Sequence, residues 1–238
     1  MKKGVVIIPT YNERGNILIL IERIFKICPG LDIIVVDDNS PDKTAEEVQT
    51  LKNKFPNLSL ILRKKKGGLG GAYIEGFKNV LKNHEYGTIV MMDGDLSHDP
   101  KFLPRILDLS EDYDLVIGSR YIKDGGITKR WGLLRRALSA GGNLYLKAMF
   151  RRNIRDWTTG YNAVRADALR KLDFDILGSR GYAFISSLKF YLLKHGASYR
   201  ESPIFFEERR GGESKMSWSI IKEGLIAPWK IIIREFFQ

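Results

Sequence analysis

The chain has 238 residues, 44% of them hydrophobic and 28% charged, which suits one globular α/β domain, alone or with a short appendage. Its single cysteine, Cys28, excludes an intrachain disulfide and fits a reducing compartment, and no apolar run approaches the ~20 residues of a membrane-spanning helix. Lys and Arg number 39 against 28 Asp and Glu, and a net charge of +11 points to an anionic partner (nucleic acid, anionic lipid or phosphorylated substrates) or to solubility alone.

The first apolar run, residues 4–8, stops at Pro9 and is too short for a signal peptide. Runs at 5–8, 33–36, 58–62, 88–92 and 115–117 are rich in Val and Ile without polar alternation, as expected of strands covered on both faces. Helix-like stretches lie between them near 16–27, 43–54, 72–81 and 102–109, and Asp42 can cap the second of these. Strand–helix alternation predicts a mostly parallel sheet with helices on both faces, and ligands then gather beyond the carboxyl ends of the strands. Farther along, 133–150 and 182–193 read as helices, 198–202 and 204–206 as extended pieces split by Pro203, and 123–129 and 209–214 as loops. The predicted domain ends at 217, and 218–238 form an amphipathic tail.

Four strand exits carry the chemistry. Asp93-Gly94-Asp95 follows the fourth strand; two carboxylates two residues apart in extended backbone face one side and can hold Mg²⁺ or Mn²⁺. Asp-Gly is also a common turn dipeptide, and the position after a buried-type strand favours the metal reading. Pro9-Thr10-Tyr11-Asn12-Glu13 offers a ring to stack on a base and a carboxylate to accept hydrogen bonds, or simply a turn in which Asn12 caps the next helix. Asp37-Asp38-Asn39-Ser40 adds acids that would repel the others unless a cation or a hydroxyl-rich ligand filled the space. Gly67-Gly68-Leu69-Gly70-Gly71, before a helix, can offer N–H groups to phosphate, but it is neither a dinucleotide fingerprint nor a P-loop, and the lysines before it fit a solvated run. Of the three histidines, His98 is nearest the paired acids, in a capping or supporting role rather than as a base.

These pieces run as VVIIPTYNERGNI, DIIVVDDNSPDKTA, KKGGLGGAYIEGFK, MMDGDLSHDPKFLP, LVIGSRY and PIFFEERRGGESKMS. In that order they resemble the family 2 glycosyltransferases of the GT-A fold, and within them the dolichol-phosphate mannose synthases, over nearly all of residues 4–217. The resemblance implies an inverting transfer of mannose from GDP-mannose to dolichyl (polyprenyl) phosphate. The same fold acting with a UDP-sugar is the alternative.

It also implies roles by position. Pro9, Tyr11, Glu13, Val36 and Asp38 match residues that hold the guanosine, and Asp93, Gly94 and Asp95 match the metal and diphosphate site. Ser97 stands where some relatives carry a glutamine metal ligand, and a hydroxyl is a weaker one. Arg120 matches a substrate-contacting arginine, and Arg209 and Lys215 the cations of a loop that closes on the phosphates. Arg135 and Ser139 fall where relatives bind the acceptor phosphate, and residues 156–160 resemble an Asp-x-Thr/Ser-Gly segment, departing from it at Trp157. Asp95, Arg120 and Arg209 are the expected catalytic residues, and their presence weighs against an inactive scaffold.

The tail carries Ile221, Leu225, Trp229, Ile232 and Phe236 on one helical stripe, with Lys222, Lys230 and Arg234 largely off it. It is expected either to lie in a membrane interface or to pack on the domain's own core. A peripheral enzyme on the cytoplasmic face of a membrane, sometimes with small membrane-anchoring partner proteins, is what the resemblance implies. Basic clusters beside an acidic metal motif argue against a nucleic-acid groove.

Overall fold

The computed structural model describes residues 3–82, 84–177, 181, 183–208 and 218–237. In chain order the first half runs β1 (Lys3–Thr10), α1 (Arg14–Ile27), β2 (Asp32–Asp37), α2 (Thr44–Leu51), β3 (Leu58–Leu62), α3 (Gly68–Leu81), β4 (Tyr86–Met91), α4 (Leu103–Asp112) and β5 (Leu115–Ser119). The second half runs β6 (Gly126–Ile127), α5 (Leu133–Phe150), β7 (Asn162–Arg165), α6 (Ala166–Arg170), α7 (Ala183–Lys194), β8 (Tyr199–Pro203), β9 (Phe205–Phe206) and α8 (Trp218–Phe236). Short 3₁₀ turns at Pro100–Phe102 and Phe174–Leu177 complete the list.

Seven strands form one sheet in the order β3-β2-β1-β4-β7-β5-β8. β7 alone is antiparallel to its neighbours β4 and β5. Period-two alternation explains the apolar runs. Val5, Ile7, Ile34, Val36, Ile89 and Met91 face a layer built with α3 and α7, while Val6, Ile8, Ile33, Val35 and Val90 face one built with α1 and α4. The chain turns from β1 to β2 on one side and reaches β4 on the other, so the strand order reverses at the β1/β4 boundary. In open sheets of this kind, ligands bind beyond the strands' carboxyl ends at such a reversal.

Two differences from the sequence reading matter for the site. α3 begins at Gly68, inside the glycine run, four residues before the expected Ala72. β7 and α6 lie in a stretch to which the sequence reading assigns no element, and β7 supplies the strand that joins the two halves of the sheet. β6 and β9 pair in a separate two-stranded sheet beside the β5 exit.

The tail packs on the domain, one of its two expected placements. α8 packs on α5 and α7, with Ile231 buried and the Tyr145 hydroxyl donating to the Leu225 carbonyl at 2.7 Å. Its other face stays open: Leu225, Ile226, Trp229, Ile233, Phe236 and Phe237 are exposed. No helix among the described residues is long and apolar enough to cross a membrane.

Candidate active site

At the β2 exit the acids are balanced within the chain. Asp37 is fully buried and accepts from the Thr10 hydroxyl (2.7 Å), the Ser40 hydroxyl (2.6 Å) and the Ser40 N–H (2.8 Å). Asp38 pairs with Arg63 and accepts the N–H groups of Gly67 (3.0 Å) and Gly68 (2.9 Å). The glycine-rich entry to α3 therefore binds an anion, as expected of a helix N-terminus, and that anion is the Asp38 carboxylate. Asp42 accepts from Thr44 N–H (3.0 Å) and Arg14 N–H (3.1 Å), tying the starts of α2 and α1 together. Internal donors thus answer the acids of the β2 exit.

The β1 exit is held against the same loop. Asn12 and Asn39 both take left-handed backbone (φ 60° and 58°), a conformation that asparagine tolerates. Asn12 donates its N–H to Ser40 Oγ at 3.0 Å, and Glu13, not Asn12, takes the N-cap position of α1. Glu13 is buried, with its N–H on Thr44 Oγ1 (3.1 Å) and its carboxylate accepting from Asn16 (3.0 Å). The Lys66 ammonium lies 3.6 Å from the centroid of the Tyr11 ring, so one lysine of the expected surface run reaches the ring expected to stack on a base. Pro9 pairs with Val36 across β1 and β2.

At the β4 exit Asp95 is 4% exposed, and its Oδ1 accepts from Ser97 N–H (3.0 Å) and the Ser97 hydroxyl (2.6 Å). Ser97 thus orients the Asp95 carboxylate. The Asp93 carboxylate is 24% exposed, and its backbone N–H donates to His98 Nδ1 at 3.0 Å. That bond requires an unprotonated Nδ1, and burial of the ring pushes the His98 pKa down, against the pull of Asp93 and Asp95. Leu96, between the acids and Ser97, is in left-handed backbone at φ 65°, which is strained for a leucine. Gly94 lies so close to Thr10 that a Cβ would sit 3.3 Å from Thr10 Cγ2. The donors are all oxygens, one carboxylate anchored and the other partly open, which suits a hard divalent cation sharing its shell with phosphates. Among the described residues no group of three or more His, Cys, Asp or Glu is placed to hold a metal ion.

A second cluster stands beside it at the β5 exit. Arg120 donates to Asp156 through Nε (2.7 Å), Nη2 (2.8 Å) and the backbone N–H (3.0 Å), and through Nη2 to Thr158 Oγ1 (2.7 Å). Both partners are buried; burial opposes charge on each, yet mutual attraction holds Asp156 below the usual carboxylate range and Arg120 above its ordinary value. Asn143 on α5 accepts from Trp157 N–H (2.7 Å) and donates to Thr158 Oγ1 (3.2 Å) and to the Ser139 carbonyl (2.9 Å). The Ser139 and Tyr121 hydroxyls are 2.7 Å apart. Arg120 and Ser139, 19 positions apart in sequence, are therefore joined in one network. Arg135, one turn before Ser139, lies over the Trp131 ring at 3.7 Å. The two clusters meet where Gly160 abuts Asp93: a Cβ there would stand 3.3 Å from Asp93 Oδ1.

The expected loop cations Arg209 and Lys215 lie outside the described residues. Sequence reasoning missed Asn143, Glu201, which accepts the Asp156 N–H at 3.1 Å, and Lys189, which donates to three backbone carbonyls of the 156–160 loop. Only Lys189 carried a signal, a lone charge in an otherwise apolar helical stretch.

Paired acids at a topological switch point, in a sheet whose one antiparallel strand is flanked by parallel ones, match the GT-A fold of the glycosyltransferases. The chain belongs to glycosyl transferase family 2, whose model matches residues 5–173. It is 42% identical to an undecaprenyl-phosphate mannosyltransferase of Micrococcus luteus, over 92% of this chain and 90% of that one. It is 41% identical to a polyprenol monophosphomannose synthase of Mycolicibacterium smegmatis, over 97% and 88%. Among solved structures, the mannosyltransferase PcManGT of Pyrobaculum calidifontis in complex with GDP-Man and Mn²⁺ superposes with a TM-score of 0.65 at 19% identity, covering 98% of this chain and 64% of that one.

Proposed function

We propose that this chain transfers mannose from GDP-mannose to the phosphate of a polyprenyl (dolichyl) phosphate, with inversion at the anomeric carbon. One observation carries the reading: a carboxylate pair, one anchored and one partly exposed, suits a diphosphate-bound cation and lies against the loop whose Asp156 holds the buried Arg120. The mannosyltransferases at 41 and 42% identity, named for polyprenyl phosphates, support mannose transfer and the acceptor class, and a GDP-Man complex of the same fold shows that the fold accepts this donor.

Asp93 and Asp95 would hold Mg²⁺ or Mn²⁺, which when bound neutralises charge on the departing diphosphate. The chain's own residues do the rest. Tyr11 and Glu13 face the nucleoside, Asp38 fixes the entry to α3 beside it, and Arg209 and Lys215 supply further positive charge to the diphosphate. Arg120, with Arg135 and Ser139, aligns the acceptor phosphate. Its oxygen is largely ionised at neutral pH, since a monoester's second pKa is about 6, so it attacks without a general base. His98, buried and neutral, fits that scheme by supporting Asp93 rather than moving a proton.

Leu133, Leu134 and Leu138, on the helix that carries Arg135 and Ser139, are exposed, as is one face of α8, which packs on that helix and carries Lys222, Lys230 and Arg234. Apolar side chains interleaved with cations suit a membrane interface, where a polyprenyl phosphate presents its head group. On this reading the enzyme works peripherally, at the cytoplasmic face.

The test is a transfer assay with Mg²⁺ or Mn²⁺, a short polyprenyl phosphate and a panel of nucleotide-sugars. GDP-mannose is expected to be the donor; transfer only from a UDP-sugar would overturn that assignment in favour of the alternative donor. Asp95→Ala is expected to lose at least about 100-fold in turnover with its circular dichroism unchanged. Near-normal turnover in that variant would refute the metal assignment.

A further inference from the structure

α7 is apolar and buried along most of its length, and Lys189 stands in it between Leu188 and Phe190 at 1% exposure. A buried ammonium is strongly unfavourable unless its donors are matched. Its Nζ donates to the backbone carbonyls of Asp156 (2.9 Å), Trp157 (3.2 Å) and Thr159 (3.1 Å). An ammonium has three N–H donors, and three acceptors meet them. The same loop carries the site on its other groups: the Asp156 carboxylate grips Arg120, and Gly160 abuts Asp93.

We infer that Lys189 is a positioning residue, whose ammonium gathers the carbonyls of 156, 157 and 159 so that the loop holds Arg120 and Asp93 at their working spacing. The inference rests on the proposed reading that Arg120 and Asp93 serve the acceptor and donor phosphates. A lysine that merely filled the core could be replaced by a methionine of similar length. A lysine that gathers carbonyls cannot, because methionine offers no donor, and small displacements at a site of two aligned phosphates are costly in rate.

The experiment compares Lys189→Met with Leu188→Ala, a neighbouring core truncation that destabilises α7 without touching the loop carbonyls. Both are read by thermal unfolding, hydrogen exchange over residues 153–165, affinity for GDP with Mn²⁺, and turnover. In folded Lys189→Met, exchange over 153–165 should rise at least about tenfold and turnover should fall at least about tenfold, while GDP–Mn²⁺ affinity stays within about threefold. Leu188→Ala should keep loop exchange and turnover within about threefold of the unmodified chain. If Lys189→Met does not fold, Lys189→Arg replaces it: the charge is kept, but a planar fork cannot meet three carbonyls in a tripod, so turnover still falls. Unchanged loop exchange, near-normal turnover in a folded Lys189 variant, or an equal loss in Leu188→Ala would each overturn the inference. Should the unmodified chain transfer no sugar from any donor, the functional reading fails, and the exchange comparison still decides whether Lys189 orders the loop.

Discussion

The Arg120–Asp156 pair shows how one contact serves both fold and site. It is bidentate and sealed from solvent, so removing one partner strands the other's charge. Asp156→Ala is expected to lose about 3–5 kcal/mol in urea unfolding, together with most transfer activity. Because the folded pKa of Asp156 is depressed, its share of stability is present above the ordinary carboxylate range and is lost as pH falls below it. Lys189 titrates in a different window. Burial, opposed by Asp156 and Glu201, pushes its pKa down to about 7. As pH rises through that value the amine is left with two N–H groups for three carbonyls, so turnover should decline on the alkaline side of neutrality and stay level in Lys189→Arg. The unfolded lysine keeps its proton up to its ordinary range, so between the two values the unfolded chain binds more protons and this group's share of stability grows with pH. Rising stability with falling turnover, measured on one sample series from pH 6 to about 9, would identify the group.

At the level of elements, the strands of the parallel half were legible because each is covered on both faces and so reads as an apolar run. β7 was not: it has four residues, Asn162–Arg165, and it is a strand because β4 and β5 flank it, a neighbourhood no local pattern encodes. The start of α3 was missed for a related reason. Glycines are poor helix formers, and it is Asp38, accepting the N–H groups of Gly67 and Gly68, that anchors the first turn. α8 was legible as amphipathic, but Leu225, Trp229 and Phe236 of its expected stripe point outward, while Ile231 packs on the core. Trp229→Glu combined with Leu134→Glu should therefore reduce co-sedimentation with anionic vesicles at least about tenfold and leave the melting temperature nearly unchanged, since both side chains are exposed.

Over the whole molecule, a net charge of +11 acts at longer range than any of these contacts. Binding to anionic vesicles should weaken as salt rises from about 0.1 to about 0.5 M, where screening shortens the reach of surface charge well below ~10 Å, and binding to neutral vesicles should change little. The sequence by itself determined the class of fold, the family, and the strand exits that carry Tyr11, Asp38, Asp93, Asp95 and Arg120, because apolar runs and short motifs are local properties of the chain. Only the tertiary structure decided which charges answer which. Asp38 finds Arg63 25 residues away, Arg120 finds Asp156 36 away, and Lys189 reaches back 33 to the Asp156 carbonyl. The physical reason is that a buried charge is tolerated only beside a matching partner, and which residues become neighbours is set by how the whole sheet and its helices close around the site.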